Sequence, residues 1–218
     1  MSTLTFLRTP AAEPTATLLL AHGSGAPMDT PFMTEVAEGL ATRGVSVLRF
    51  EFDYMAERRT GGTKRPPPDM AILEEEFRTA LAEVDVDGPL FIGGKSMGGR
   101  VATLIADEAF ESSRIAGVLC LGYPFHPPGK PDDLRTAHLI GLRPPALICQ
   151  GTRDAFGTPR DVAGYGLSDA IRLHWLEDGD HDLVPRVTVT GLRQSDHLAE
   201  VCDVVAQWCA RMVKAGTI

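Results

Sequence analysis

The chain has 218 residues, 44% of them hydrophobic and 23% charged, a make-up that excludes a disordered or fibrous chain and is expected to fold as one domain over 1–218. Its 21 basic and 29 acidic residues leave a net charge of −8, the wrong balance for a nucleic-acid binder, whose affinity comes largely from clustered Lys and Arg. Met1 to Pro10 lacks a basic, then apolar leader, and no apolar run approaches the roughly 20 residues of a membrane span, so no membrane association and a cytoplasmic location are expected.

Short apolar runs alternate with helical patterns along the chain, which predicts an α/β fold with a mainly parallel sheet flanked by helices on both faces. Thr17 to Ala21 reads as a buried strand ending in the turn His22-Gly23-Ser24-Gly25. A helix follows from about Pro31, with Phe32, Val36 and Leu40 on one face and Gly44 as its stop. Val45 to Phe50 is the next strand, and Ala56 to Pro68, without apolar periodicity, is expected to be a surface loop. From the N-cap Asp69, Met70, Leu73, Phe77, Leu81 and Val84 form an amphipathic stripe. Pro89 to Gly93 is a third strand, turned by Gly94 to Gly99 into a helix carrying Val101, Leu104 and Ile105. Ile115 to Leu121, Ala146 to Gln150 and Ile171 to Leu176 supply three more strands. A last helix buries Leu198, Val201, Val205, Trp208 and Met212. The four cysteines, Cys120, Cys149, Cys202 and Cys209, show no paired spacing, and Cys120 and Cys149 read as small core residues.

Gly94-Lys95-Ser96-Met97-Gly98 fits G-x-S-x-G between a strand and a helix, the context in which the motif raises a nucleophile above a sheet. The turn is sharp enough that the residues two before and two after the serine must lack a Cβ. Ser96 is therefore the expected nucleophile. The helix N-terminus favours negative charge there, with the Met97 N–H as one oxyanion donor. The loop His22 to Gly25 supplies the second, assigned to Ser24. Acid and base should follow in chain order at the ends of later strands. Asp154, after the strand ending at Gln150, and His181, after the strand ending at Leu176, occupy those places. Asp178 and Asp180 compete for the acid role but adjoin the histidine in sequence. Of the other histidines, His22 is expected to be structural, His174 to lie in a strand, and His138 and His197 to be surface or helix residues. Gly94-Lys95-Ser96 also imitates the end of a P-loop, but the first glycine of that motif falls on Pro89, which disfavours nucleotide binding.

These motifs in this order resemble the α/β-hydrolase superfamily over essentially the whole chain. More narrowly, Gly93 to Arg100 and Gly122 to Pro131 look like the hydrolase-like domain shared by testis-expressed protein 30 and subunit 3 of the NSL histone-acetyltransferase complex. The chain is also similar in plan to dienelactone hydrolases, which carry cysteine where Ser96 stands. The resemblance implies a core without a large lid domain. Hydrolysis of a carboxylic ester or related small acyl compound through a Ser96 acyl-enzyme, without metal or organic cofactor, is expected, the alternative being an interaction module on the same fold. The loops Tyr54 to Pro68 and Tyr123 to Lys130 are expected beside the site. Gly25, Tyr54, Arg58, Arg65, Tyr123 and His126 are candidate substrate contacts, and Arg58, Arg59, Lys64 and Arg65 could hold an anionic group. The oligomeric state is not read from the sequence.

Overall fold

The computed structural model describes residues 4–216, so the first three residues of the leader reading lie outside the described part. Its strands are β1 (Leu7–Thr9), β2 (Ala16–Ala21), β3 (Val45–Phe50), β4 (Leu90–Lys95), β5 (Gly117–Leu121), β6 (Ala146–Gly151) and β7 (Ile171–Leu176). The helices are α1 (Pro31–Ala41), α2 (Asp53–Arg59), α3 (Met70–Ala82), α4 (Met97–Glu111), α5 (Pro159–Val162), α6 (Val187–Thr190) and α7 (Gln194–Lys214), with a 3-10 turn at Ala137–Leu139.

The strands form one sheet in the order β1-β3-β2-β4-β5-β6-β7, parallel except for β1, which pairs antiparallel to β3. The inner strands are apolar on both faces because helices cover both, and their alternating side chains feed two cores. Leu19, Ala21, Ile92, Val118 and Ile148 point to one side, where α3 and α4 pack. Leu18, Leu20, Phe91, Leu119 and Leu147 point to the other, against α1 and α7. The chain builds outward from β2 to β3, then returns to lay β4 on the opposite side of β2. Ligands bind at such a reversal, outside the carboxyl ends of the strands. Between β5 and β6 the described chain forms only the 3-10 turn, so no lid domain is inserted there.

One reading is corrected and two are sharpened. The segment from Ala56 is not all loop, because α2 runs through Arg59, with Asp53 in its first turn, Arg58 and Arg59 in its last, and Tyr54 and Met55 buried. Those charges suit the helix dipole, but seven residues are too few to show a stripe. Asp69 holds the N-cap position of α3 without a side-chain hydrogen bond. His197 lies on α7 but is fully buried, its Nδ1 2.9 Å from the Leu183 carbonyl. None of the helices among the described residues is long and apolar enough to cross a membrane.

Candidate active site

Ser96 joins β4 to α4 with φ 51° and ψ −114°, a backbone conformation disfavoured for a residue with a side chain. Its neighbours show why the turn holds. A Cβ on Gly94 would lie 2.4 Å from the Gly98 carbonyl carbon, and one on Gly98 would lie 2.5 Å from the His22 carbonyl oxygen. Both glycines are thus required by close backbone approach. The Ser96 N–H donates to the Leu121 carbonyl at 2.9 Å, anchoring the turn to β5. Because Leu90–Lys95 is paired strand, the loop that a P-loop needs is absent here.

The Ser96 Oγ lies 2.8 Å from His181 Nε2, and His181 Nδ1 lies 2.8 Å from Asp154 Oδ2. Three separate connections deliver them, those after β4, β6 and β7. Asp154 is fully buried. Its Oδ2 also accepts from Gln150 Nε2 at 2.8 Å, and its Oδ1 accepts from the Phe156 N–H at 2.8 Å. With three donors converging on the Asp154 carboxylate, the imidazole carries its proton on Nδ1 and leaves Nε2 to accept from the serine hydroxyl. The Phe156 ring lies 4.1 Å from the His181 ring, tilted by 31°. The competing carboxylates are engaged elsewhere. Asp178 accepts from the Arg186 N–H at 2.7 Å and from its guanidinium, which holds its carboxyl well below the usual range. Asp180 accepts from the N–H groups of Asp182 and Val184, each at 2.9 Å.

On the other side of Ser96 runs the loop after β2. The register Ala21↔Gly94 sets it beside the elbow, and a Cβ on Gly23 would come within 3.8 Å of the Ser96 Cβ. Met97 begins α4, so its N–H has no acceptor within the helix. Ser24 lines the cavity above Ser96, and its carbonyl accepts from the Tyr54 hydroxyl at 2.9 Å. His22 is structural, as expected: its Nε2 accepts from the Phe52 N–H at 3.2 Å and its Nδ1 faces the Gly23 carbonyl at 2.6 Å. Burial lowers its pKa, which suits the neutral ring this pairing requires. Glu51 accepts from the Met28 N–H at 3.1 Å, Arg49 donates to the Met28 carbonyl at 3.1 Å, and Arg59 bridges Glu51 and Asp29. The loop is therefore pinned along its length.

The cavity is about 600 Å³ and opens over Ser96 and His181. Gly25 borders it, as expected, with Ala26, Pro27, Phe32, Met33, Phe156 and Val184 forming an apolar wall. Five expected contacts do not border it. Tyr54 is buried beneath Ser24. Arg58 donates to the Arg65 carbonyl, and Arg65 pairs with Glu57 over a separate cleft of prolines. Arg59 is taken by Glu51 and Asp29, which raise its pKa, and Lys64 is exposed away from the cavity. Tyr123 is fully buried, its hydroxyl donating to the Arg135 carbonyl at 3.0 Å. His126 is buried too, its backbone N–H donating to the Phe156 carbonyl at 3.2 Å. The proline-flanked turn packs inward and supports Phe156 instead of facing the cavity.

Two residues escaped the sequence reading. Gln150 orients Asp154 while its Oε1 accepts from the Tyr123 N–H at 2.7 Å. Lys95 is buried and borders the cavity, its Nζ donating to the His181 carbonyl at 2.8 Å. Each is a polar residue within one position of the end of an apolar strand, a signal present in the sequence.

Solved structures share this arrangement of elements. A serine hydrolase homologue from Coxiella burnetii superposes with a TM-score of 0.68 at 18% identity, covering 94% of this chain and 90% of that one. A serine hydrolase without lid from Xanthomonas campestris gives 0.68 at 17% identity, covering 95% and 96%. A dienelactone hydrolase from Anabaena variabilis gives 0.67 at 21% identity, covering 95% and 91%. At such identities the likeness concerns the fold. Residues 14–210 match the family described as alpha/beta hydrolase domain, and the chain belongs to that family.

Proposed function

We propose that the chain is a serine hydrolase of carboxylic esters or closely related acyl compounds, with Ser96 as nucleophile, His181 as base and Asp154 as acid. The observation that carries this reading is the unbroken run Ser96 Oγ, His181, Asp154, with both links at 2.8 Å, beneath an apolar cavity. His181 Nε2 takes the hydroxyl proton as Oγ adds to the carbonyl carbon. The negative oxygen is stabilised by the N–H groups of Met97 and Ser24. Collapse breaks the bond to the leaving alcohol, which receives the proton from His181 and leaves an acyl-Ser96. Water then adds with His181 as base, and collapse returns the proton to Ser96 Oγ and frees the acid. Asp154 holds the tautomer and stabilises the imidazolium throughout. The scheme uses neither metal nor organic cofactor.

The cavity wall suits an uncharged aliphatic or aromatic group. Its lining cation, Lys95, is already paired with Asp182 at 3.2 Å, so an anionic group finds no free partner there. Kinship with the hydrolase-like domain of testis-expressed protein 30 is part of the same proposal, supported by the strings Gly93 to Arg100 and Gly122 to Pro131. A cytoplasmic location is supported by four free thiols.

The test is intact-mass labelling with a fluorophosphonate, wild type beside Ser96→Ala. One label per wild-type chain, absent in the variant, is the expected result. A folded wild type that stays unlabelled overturns the reading.

A further inference from the structure

Lys95 stands next to the nucleophile, and the scheme above gives it no task. Its side chain is 10% exposed yet carries an amine whose pKa burial pushes down and Asp182 partly restores. A methionine would fill similar space without that cost. The polar head has specific partners: Nζ donates to the His181 carbonyl at 2.8 Å, pairs with Asp182 at 3.2 Å and lies 5.6 Å from the Phe32 ring centroid. Room is kept for this contact. At Gly122, where φ is +67°, a Cβ would come 2.8 Å from the His181 carbonyl oxygen and 3.2 Å from Lys95 Nζ.

The excursion that carries His181 has anchors on both flanks. Asp178 binds Arg186 before it, and after it Gln194 Nε2 donates to the Asp182 carbonyl at 2.7 Å while His197 faces the Leu183 carbonyl. At His181 itself the backbone is held by Lys95. We propose that Lys95 is a positioning residue that ties the His181 backbone to the strand end carrying Ser96, and so sets the approach of Nε2 to Oγ. Lys95 and Ser96 are covalent neighbours, so a shift of β4 moves the nucleophile and this anchor of the base together. The inference rests on the triad reading proposed above.

The experiment measures fluorophosphonate inactivation and turnover of a chromogenic ester for the full chain carrying Lys95→Met. Misplacement of a reacting group by about 1 Å costs about 100-fold. A fall of about 10- to 100-fold in the saturating rate is therefore expected, with KM little changed, the pattern of an interaction lost at the reacting centre. Asp182→Asn, which removes the ion pair and leaves the carbonyl contact, should lose less. In Lys95→Ala, propylammonium should restore the rate saturably, and tetramethylammonium, which has no N–H, should not. A merely structural loss would not distinguish the two cations. A wild-type chain that fails to react defeats the hydrolase reading itself. If the wild type reacts, the positioning role is overturned by Lys95→Met at full rate, by a loss confined to KM, or by Lys95→Ala that propylammonium does not revive.

Discussion

The elbow makes a demanding test through Gly98→Ala. The new Cβ would stand 2.5 Å from the His22 carbonyl oxygen, 2.8 Å from that of Ala21 and 2.9 Å from the Ala21 carbonyl carbon. Real Cβ atoms essentially never approach closer than 3.0 Å, so the backbone must yield by about 0.5 Å at least, and by nearly 1 Å to reach ordinary contact. No flexible side chain can absorb this, because all three atoms are main chain. Strand β2 is fixed by ladders to β3 and β4 on both sides. Either the first turn of α4 lifts, carrying the Met97 N–H, or the chain at His22 moves, carrying Ser24. Both outcomes spread the two proposed oxyanion donors. Overpacking of this kind costs about 1–3 kcal/mol, or roughly 2–10 °C in Tm for a chain of this size. The displacement should lower turnover about 100-fold. Gly141→Ala, where nothing lies within 4 Å of the added Cβ, serves as control and should stay within about 0.5 kcal/mol of wild type. Thermal melts and fluorophosphonate inactivation read the two effects. If Gly98→Ala melts and reacts like Gly141→Ala, the account of the elbow is wrong.

Three further outcomes follow from the same geometry. Asp154→Asn should lower turnover by about 10⁴-fold by allowing the wrong imidazole tautomer, and a pre-steady-state burst assay that shows a loss below about 10-fold would remove Asp154 from the role. His138, whose pKa burial lowers from 6.5 to about 4, binds a proton more readily unfolded than folded. Its contribution to stability is therefore fully present above about pH 6.5 and is lost as pH falls toward 4. The Tm of His138→Gln should fall less steeply than that of wild type across this window in melts at stepped pH, and parallel curves would count against the burial argument. Arg58→Ala with Arg65→Ala should leave the kcat/KM ratio of anionic to neutral esters unchanged, since neither residue borders the cavity; a fall in that ratio would show that the loop folds over the site in solution.

What could be read from the residues alone divides along a physical line. The inner strands were visible because burial on both faces makes runs such as Thr17 to Ala21 continuously apolar, the half-exposed β7 because apolar and polar residues alternate along it, and the proposed triad because three connections leave the same end of one sheet. Strand β1, with three residues, and α5 and α6, with four each, are too short to display a period. The basic residues after Tyr54 misled for a different reason. Charge is evident in a sequence, but its partner is not: Arg59 is claimed by Glu51 and by Asp29, eight and thirty positions away. The same applies to Tyr123 and His126, whose proline-rich turn is plainly rigid, although only packing decides that it faces the core. Gln150, Lys95 and Glu51 show how such residues could be found. Each is polar, each lies within one residue of the carboxyl end of an apolar strand, and each would be costly to bury without a partner. A polar residue in that position must bind something at the functional end of the sheet. In this chain the three bind Asp154, the His181 carbonyl and the Met28 N–H, which belong to the proposed acid, the proposed base and the cavity loop. The selection of a polar side chain at a strand's carboxyl end therefore marks support of the site more reliably than the conspicuous run of surface charge does.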